Sequence, residues 1–252
     1  MSKKVIFKIE NNTAFIILNN PIALNAWDYQ MRSEIISLLK TIKLNQKIKV
    51  LIITGKGNKA FCSGQDLKEI NNFNTPKKVQ QWISQFKTLY KEIRSLEIPT
   101  IAAINGVAAG SGFQLALLTD IRISYPKARM GQVEINSGIV SVIGPWIIEK
   151  VLGLSKAIEL SLTGNLINGK EAYKIGAINY LTSQKDIIKK SINIAKDLAS
   201  KPKHAMRLTK KNIWEIYNKD FNLIFKRAKN YHKKSFKSGD PQKGSEKFLN
   251  KN

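Results

Sequence analysis

The sequence predicts an α/β fold, in which β-strands and α-helices alternate along the chain. Two apolar runs, residues 50–54 and 100–104, have the composition of buried strands. A glycine-containing turn follows each run, at residues 61–67 and 105–114, and a helical pattern comes next. This alternation favours strand–helix units joined by right-handed crossovers.

The individual elements follow from local signals taken in chain order. Asn11 and Asn12 lie between two apolar runs and predict a hairpin turn. Asp28 and Pro76 stand where a cap and a first helical residue are favoured. The predicted strands are residues 5–10, 13–18, 50–54, 100–104 and 121–124. The predicted helices are residues 28–43, 76–95, 112–119, short helices within 152–176, then 186–199 and 202–237 with a break at 218–220.

The two glycine-containing turns are the first candidates for chemistry. A glycine-rich turn at the start of a helix leaves backbone N–H groups without partners and allows a ligand to come close. Two such turns are able to direct two N–H groups at one oxygen, which is the geometry of an oxyanion hole. Taken alone, either turn can also be interpreted as the ordinary start of a helix.

Four segments together resemble the crotonase (enoyl-CoA hydratase/isomerase) superfamily. They occur in the family's order and spacing, and later matches near residues 162–164, 171–172 and 176–178 extend the similarity over essentially the whole chain. The four segments are residues 20–26 (NPIALNA), 60–67 (AFCSGQDL), 104–112 (INGVAAGSG) and 131–135 (GQVEI). The resemblance implies a spiral of ββα units over residues 1–200 that carries the active site. It also implies a helical segment over residues 201–252 at the interface of a homotrimer or a dimer of trimers.

The resemblance places the catalytic positions at Glu134 and Gln114. Glu134 has apolar neighbours, and such surroundings raise a carboxyl pKa toward neutrality, which suits a proton-transferring base. Taken alone, an isolated glutamate is better interpreted as a surface or salt-bridged residue, and the resemblance reverses that interpretation for Glu134. Hydratases of the family carry a second glutamate where this chain has Gln114, and an amide neither accepts nor delivers a proton at neutral pH. The substitution favours double-bond isomerisation over hydration, and both reactions remain open.

The resemblance also assigns the oxyanion donors and the coenzyme A contacts. The donor N–H groups match Gln65 and Ser111, so we expect Ser111→Pro to be damaging and Ser111→Ala to be nearly silent. No separate cofactor is expected, since the coenzyme A thioester is itself the substrate. The positions matched to substrate and coenzyme A binding are Ala23, Leu24, Ala60, Ser63, Gly64, Asp66, Leu67, Lys68, Gly110, Phe248 and Lys251.

Composition limits the remaining function classes. The net charge of +24 is compatible with lysines scattered over solvated faces and with attraction of the coenzyme A phosphates. An alternative is a catalytically weakened crotonase-fold protein that binds RNA or an acidic partner, although no nucleic-acid motif is present. Histidines and the single cysteine, Cys62, show no metal-ligand spacing, so no metal is expected. We also expect no disulfide, no membrane span and a cytoplasmic location.

Overall fold

The computed structural model describes residues 3–250, apart from the side chain of Phe248. Its strands are β1 (Val5–Glu10), β2 (Thr13–Leu18), β3 (Val50–Gly55), β4 (Ala60–Cys62), β5 (Thr100–Ala103), β6 (Val107–Ala109), β7 (Ile121–Ser124), β8 (Arg129–Gly131), β9 (Ile167–Asn168) and β10 (Tyr180–Leu181). Its helices are α1 (Tyr29–Leu44), α2 (Leu67–Ile70), α3 (Pro76–Arg94), α4 (Ser111–Leu118), α5 (Ile143–Leu152), α6 (Leu154–Thr163), α7 (Gly169–Lys174), α8 (Ile187–Ser200), α9 (Lys203–Tyr217), α10 (Phe221–Ser238) and α11 (Asp240–Leu249).

The strands form two sheets, and from β3 to β8 consecutive strands alternate between them. The larger sheet has the order β1-β2-β3-β5-β7-β10, and the smaller has the order β4-β6-β8-β9. The pairs β3/β4, β5/β6 and β7/β8 therefore each give one strand to either sheet before the chain turns into a helical segment. This repeated ββα arrangement confirms the predicted α/β spiral.

Local sequence signals account for several element boundaries. The side chain of Asp28 accepts a hydrogen bond from the Met31 N–H at 2.9 Å and caps α1. Thr75 accepts from the Lys78 N–H at 3.3 Å to cap α3, and Pro76 is its first residue. The predicted break at residues 218–220 separates α9 from α10.

Burial on both faces explains why residues 50–53 are continuously apolar. Leu51 and Ile53 join the main core, while Val50 and Ile52 face a second cluster that includes Ile187 of α8. A strand covered on both sides has no solvent-facing position, so the usual apolar–polar alternation is lost.

Several elements differ from the sequence-based prediction. Strands β4, β6 and β8 are only three residues long and were not predicted, yet they lead directly into the segments that carry the candidate site. Helix α5 begins before the predicted region of short helices, and α11 follows the predicted end of the C-terminal helices. Short strands carry too little pattern to be separated from loops, because they depend on pairing with distant neighbours.

The C-terminal helices lie partly on the core of the same chain. Helix α10 packs against α3 and α5, and α11 packs against α2 and the 3₁₀ segment Glu134–Ser137. Helix α9 is mostly exposed, and Lys210 is its one buried residue. Across residues 3–250, no helix is long and apolar enough to cross a membrane.

Candidate active site

Three neighbouring parallel strands of the smaller sheet bring the candidate site together. Strand β4 pairs with β6, and β6 pairs with β8, all in parallel. The carboxyl ends of parallel strands lie at one edge of the sheet, so the segments after them are neighbours. Gln65 follows β4, Ser111 follows β6 and Glu134 follows β8.

The first two turns touch each other at Gly64 and Ser111. Gly64 has φ +97°, and a Cβ at this position would lie 2.7 Å from the carbonyl oxygen of Ala109 and 3.4 Å from the Ser111 nitrogen. A side chain is excluded here by both the positive φ and the close approach. Among the described residues, neither the Gln65 N–H nor the Ser111 N–H has a hydrogen-bond acceptor. Two unpartnered backbone donors thus lie on adjacent turns.

The carboxylate of Glu134 lies next to the second turn. Gly110 has φ +54°, and a Cβ on it would lie 3.2 Å from Glu134 Cδ. Although the residue as a whole is only partly buried, its Oε2 atom is shielded from solvent and has no hydrogen-bond partner among the described residues. Burial raises the pKa of Glu134 from its ordinary value of 4.5 to about 7. The group is therefore suited to accept and return a proton near neutral pH.

Gln114 is buried on α4 and is held at both ends of its amide. Its Nε2 donates to Glu134 Oε1 at 2.9 Å, and its Oε1 accepts from the Tyr90 hydroxyl at 2.7 Å. A tyrosine hydroxyl that donates to Oε1 fixes which end of the amide faces Glu134. Burial raises the pKa of Tyr90 well above its ordinary value, so Tyr90 remains a neutral donor.

The structure brings together several of the positions matched to coenzyme A binding. The Ser63 N–H donates to the Leu24 carbonyl at 3.0 Å, and the Ser63 hydroxyl donates to the Ala23 carbonyl at 3.3 Å. Asp66 caps α2 through the Lys68 N–H, and Lys68 is exposed.

The remaining positions matched to coenzyme A binding are either packed into the protein or lie at the C-terminal end. Ala60 is buried in β4, where its carbonyl accepts from Asn25, and Leu67 packs against the core. Phe248 belongs to α11, and Lys251 lies outside the described residues.

An open groove lies beside the Ala23–Leu24 loop, and the sequence analysis did not predict it. It has a volume of about 320 Å³, and the lysines Lys56 and Lys59 line it together with Ile22 and Ala60. Isolated lysines in a lysine-rich chain carry no distinguishing pattern. Tyr90 was missed for a related reason, because its spacing on α3 marks it only as a core residue. No group of three or more His, Cys, Asp or Glu within residues 3–250 is arranged to hold a metal ion.

Comparison with known proteins identifies the family. The family model described as enoyl-CoA hydratase/isomerase matches residues 8–252. The chain is 28% identical to the crotonyl-CoA hydratase of Syntrophomonas wolfei, over 99% of this chain and 96% of that protein. It is 28% identical to the 1,2-epoxyphenylacetyl-CoA isomerase of Escherichia coli, over 100% and 97%. The crystal structure of an enoyl-CoA hydratase from Bacillus anthracis aligns with a TM-score of 0.81 at 30% identity, covering 90% of this chain and 89% of that one.

The chain belongs to the enoyl-CoA hydratase/isomerase family. This membership confirms the resemblance to crotonases that its motifs indicate. The alternative of a weakened protein that binds RNA or an acidic partner is not favoured, since the matched relatives carry the names of acyl-CoA enzymes.

Proposed function

We propose that this enzyme binds an enoyl-CoA thioester and moves its double bond from the 3- to the 2-position through an enolate. The N–H groups of Gln65 and Ser111 donate to the thioester oxygen and stabilise the negative charge that develops on it. Glu134 removes a proton from the α-carbon, and the electron pair of that C–H bond passes into a dienolate. Protonated Glu134 then returns the proton to the γ-carbon, which leaves the double bond conjugated with the thioester.

The observation that carries this proposal is the fixed amide of Gln114. Hydration of a 2-enoyl thioester adds a water, and a second carboxylate beside Glu134 is the group that would help to activate it. Here Gln114 Oε1 is engaged by Tyr90 and its Nε2 by Glu134. The site thus contains one carboxylate that transfers a proton, together with a neutral amide that orients it. A single base with a pKa of about 7 suits a reaction in which one group both removes and returns a proton.

Hydration is the second candidate, and the names of relatives favour it. The crotonyl-CoA hydratase of Syntrophomonas wolfei matches the chain along nearly its full length. For hydration, Glu134 would serve alone as base and acid while Gln114 only helps to position water.

Charge and loop contacts support coenzyme A binding at the groove beside Ala60. Lys56 and Lys59 line that groove, and the Ala23–Leu24 loop is tied to Ser63 next to the oxyanion turn. Phosphate groups are favoured beside such lysines. We assign the coenzyme A phosphates to this groove and the thioester to the turn at Gly64.

Exposed apolar faces support assembly into a trimer. On α6, Leu154, Ile158 and Leu162 are spaced four residues apart, and each is at least half exposed. On α9, Leu208 and Ile216 are exposed on a helix with little contact to its own core. Burial of such faces between copies stabilises an oligomer. Light scattering coupled to gel filtration is expected to give three or six copies, and a monomer would contradict the assignment.

The experiment that tests the reaction compares two thioesters of one chain length. Trans-3-hexenoyl-CoA reports isomerisation, and trans-2-hexenoyl-CoA reports hydration. We expect isomerisation to be faster and Glu134→Gln to reduce it about 10²–10⁴-fold, the usual contribution of a general base. Glu10→Gln, at the exposed end of β1, is the matched control and is expected to retain activity. Faster hydration than isomerisation in the unmodified enzyme would overturn the proposal.

A further inference from the structure

Trp27 is a buried residue that takes no part in the proposed chemistry but contacts both oxyanion turns. It has no exposed surface and lies just before α1. Its N–H donates to the Gly64 carbonyl at 3.0 Å, and its carbonyl accepts from the Asp66 N–H at 3.1 Å. The peptide groups on either side of Gln65 are therefore fixed to the backbone of Trp27.

The side chain of Trp27 reaches the other turn. Its indole Nε1 donates to Ser111 Oγ at 2.9 Å, in a buried hydrogen bond between residues 84 positions apart. Ser111 carries the second candidate N–H donor. One residue is thus bound through its backbone to the first donor turn and through its side chain to the second.

Arg32 contacts both Trp27 and Gln65. Its side chain is fully buried, and Nη1 donates to the Trp27 carbonyl at 3.0 Å and to Gln65 Oε1 at 2.8 Å. Its Nη2 donates to both carboxylate oxygens of Glu69 at 3.0 and 3.1 Å, which pairs the buried charge. Trp82 Nε1 also donates to Gln65 Oε1 at 2.9 Å. The Gln65 side chain is consequently anchored by both Arg32 and Trp82.

We infer that Trp27 is a positioning residue that sets the spacing between the Gln65 and Ser111 N–H groups. The inference rests on the proposed use of these two groups as oxyanion donors. Such donors act when both lie about 2.7–3.1 Å from the charged oxygen, so a shift of a few tenths of an ångström weakens the stabilisation. The hydrogen bond from the Trp27 indole to Ser111 connects the two turns. The hydrogen bond from Arg32 to the Trp27 carbonyl restrains the Trp27 backbone, so that it does not move with Ser111.

The ordinary alternative is that Trp27 is a core side chain whose hydrogen bond only satisfies its indole. Two variants separate these roles. Trp27→Phe removes the indole donor and keeps an aromatic ring, whereas Ser111→Ala removes the acceptor of the same bond and keeps all of Trp27. Trp146→Phe is the matched control, because it deletes an indole hydrogen bond of 2.6 Å to Asp220, between α5 and the C-terminal helices.

Turnover provides the first readout. A positioning role predicts that Trp27→Phe and Ser111→Ala each lower kcat about tenfold, less than the 10²–10³-fold loss of a whole donor. We expect KM to change less than twofold and the double variant to be no worse than either single variant, since both break one bond. Additive losses, or an equal loss in Trp146→Phe, would assign the effect to general destabilisation.

The second readout does not depend on which reaction the enzyme catalyses. Crotonyl-CoA is bound to the Glu134→Gln protein, and the infrared band of its thioester carbonyl is recorded. Two donors on the carbonyl oxygen lower this frequency. We expect the shift to shrink when Trp27→Phe or Ser111→Ala is added and to be unchanged when Trp146→Phe is added. An undiminished shift in both variants overturns the role of Trp27, whereas no shift in Glu134→Gln itself overturns the oxyanion assignment and the inference with it.

Discussion

Replacement of Gln114 by glutamate is the sharpest perturbation of this site. In the structure, Gln114 Nε2 donates to Glu134 Oε1 at 2.9 Å. Gln114→Glu replaces that donor with a carboxylate oxygen at nearly the same place. The variant therefore converts a hydrogen bond into a contact between two acids, while the Tyr90 hydroxyl, 2.7 Å from the present amide oxygen, remains able to donate.

The Coulomb energy decides the protonation state of the new pair. Two unit charges 2.9 Å apart repel by about 6 kcal/mol at an effective dielectric constant of about 20. At about 1.4 kcal/mol per factor of ten, this disfavours the doubly ionised pair about 10⁴-fold. The pair will consequently share one proton at neutral pH and titrate as a unit. One carboxylate and one carboxylic acid side by side supply both a base and an acid.

We expect Gln114→Glu to raise the hydration of a 2-enoyl-CoA relative to double-bond migration. A general acid or base contributes about 10²–10⁴-fold, so a ratio change of at least tenfold is the minimum expected. The assay measures hydration of trans-2-hexenoyl-CoA and isomerisation of trans-3-hexenoyl-CoA from pH 5 to 9. Gln114→Met, which is similar in length and cannot ionise, is the matched control and is expected not to gain hydration.

Two results would refute this reasoning. If the unmodified enzyme already hydrates as fast as Gln114→Glu, Gln114 suffices to position water and Glu134 transfers the proton alone. If the pH profile of the variant equals that of the unmodified enzyme, the two carboxyl groups are not in contact and the geometry at Gln114 is wrong.

Four further predictions concern the same site. Because the base must be ionised, kcat/KM is expected to rise with pH and level off above about 7, the pKa of Glu134, in a pH–rate profile. The pKa of Glu134 is about 7 in the folded protein and 4.5 ordinarily, so its ionisation lowers the free energy of unfolding as pH rises between 4.5 and 7. Urea unfolding should therefore show the stability of Glu134→Gln increasing by about 3 kcal/mol relative to the unmodified protein from pH 4 to 8. A difference that stays constant with pH would contradict burial of the charge. Tyr90→Phe frees the Gln114 amide to turn away from Glu134 and is expected to raise the kinetic pKa by up to about two units, since a hydrogen bond to a charged group is worth about 1.5–3 kcal/mol. An unchanged profile would show that Tyr90 does not orient the amide. Ser111→Pro is expected to lower kcat about 10²–10³-fold because it removes a backbone donor, and circular dichroism checks that the variant folds. An equal loss of kcat in Ser111→Ala would assign the function to the hydroxyl.

The structure changes the effect expected of Ser111→Ala. The sequence alone predicts Ser111→Ala to be nearly silent, because the backbone N–H is kept. The hydroxyl, however, accepts the buried indole N–H of Trp27 at 2.9 Å. Its removal leaves that donor without a partner, at a cost of about 1–3 kcal/mol, and loosens the connection between the two turns. Ser111→Ala is thus expected to be measurably impaired, although less than Ser111→Pro.

The sequence by itself determined the features that depend on neighbours along the chain. Asp28 and Pro76 mark helix starts, the two asparagines after β1 mark a hairpin, and the run at residues 50–54 marks a buried strand. The ordered motifs were sufficient to identify the family. They also singled out Gln114 as the position where the chain departs from the hydratase pattern.

Tertiary structure alone decided how the candidate site is assembled. The three-residue strands β4, β6 and β8 place Gln65, Ser111 and Glu134 at one edge of a sheet, and no local pattern distinguishes strands of that length from loops. Hydrogen bonds over long sequence separations complete the site. Tyr90 fixes an amide 24 positions away, and Trp27 reaches a hydroxyl 84 positions away. Such contacts arise only when the whole core packs, since side chains with ordinary helical or apolar spacing gain a specific partner through the fold rather than through their neighbours in sequence.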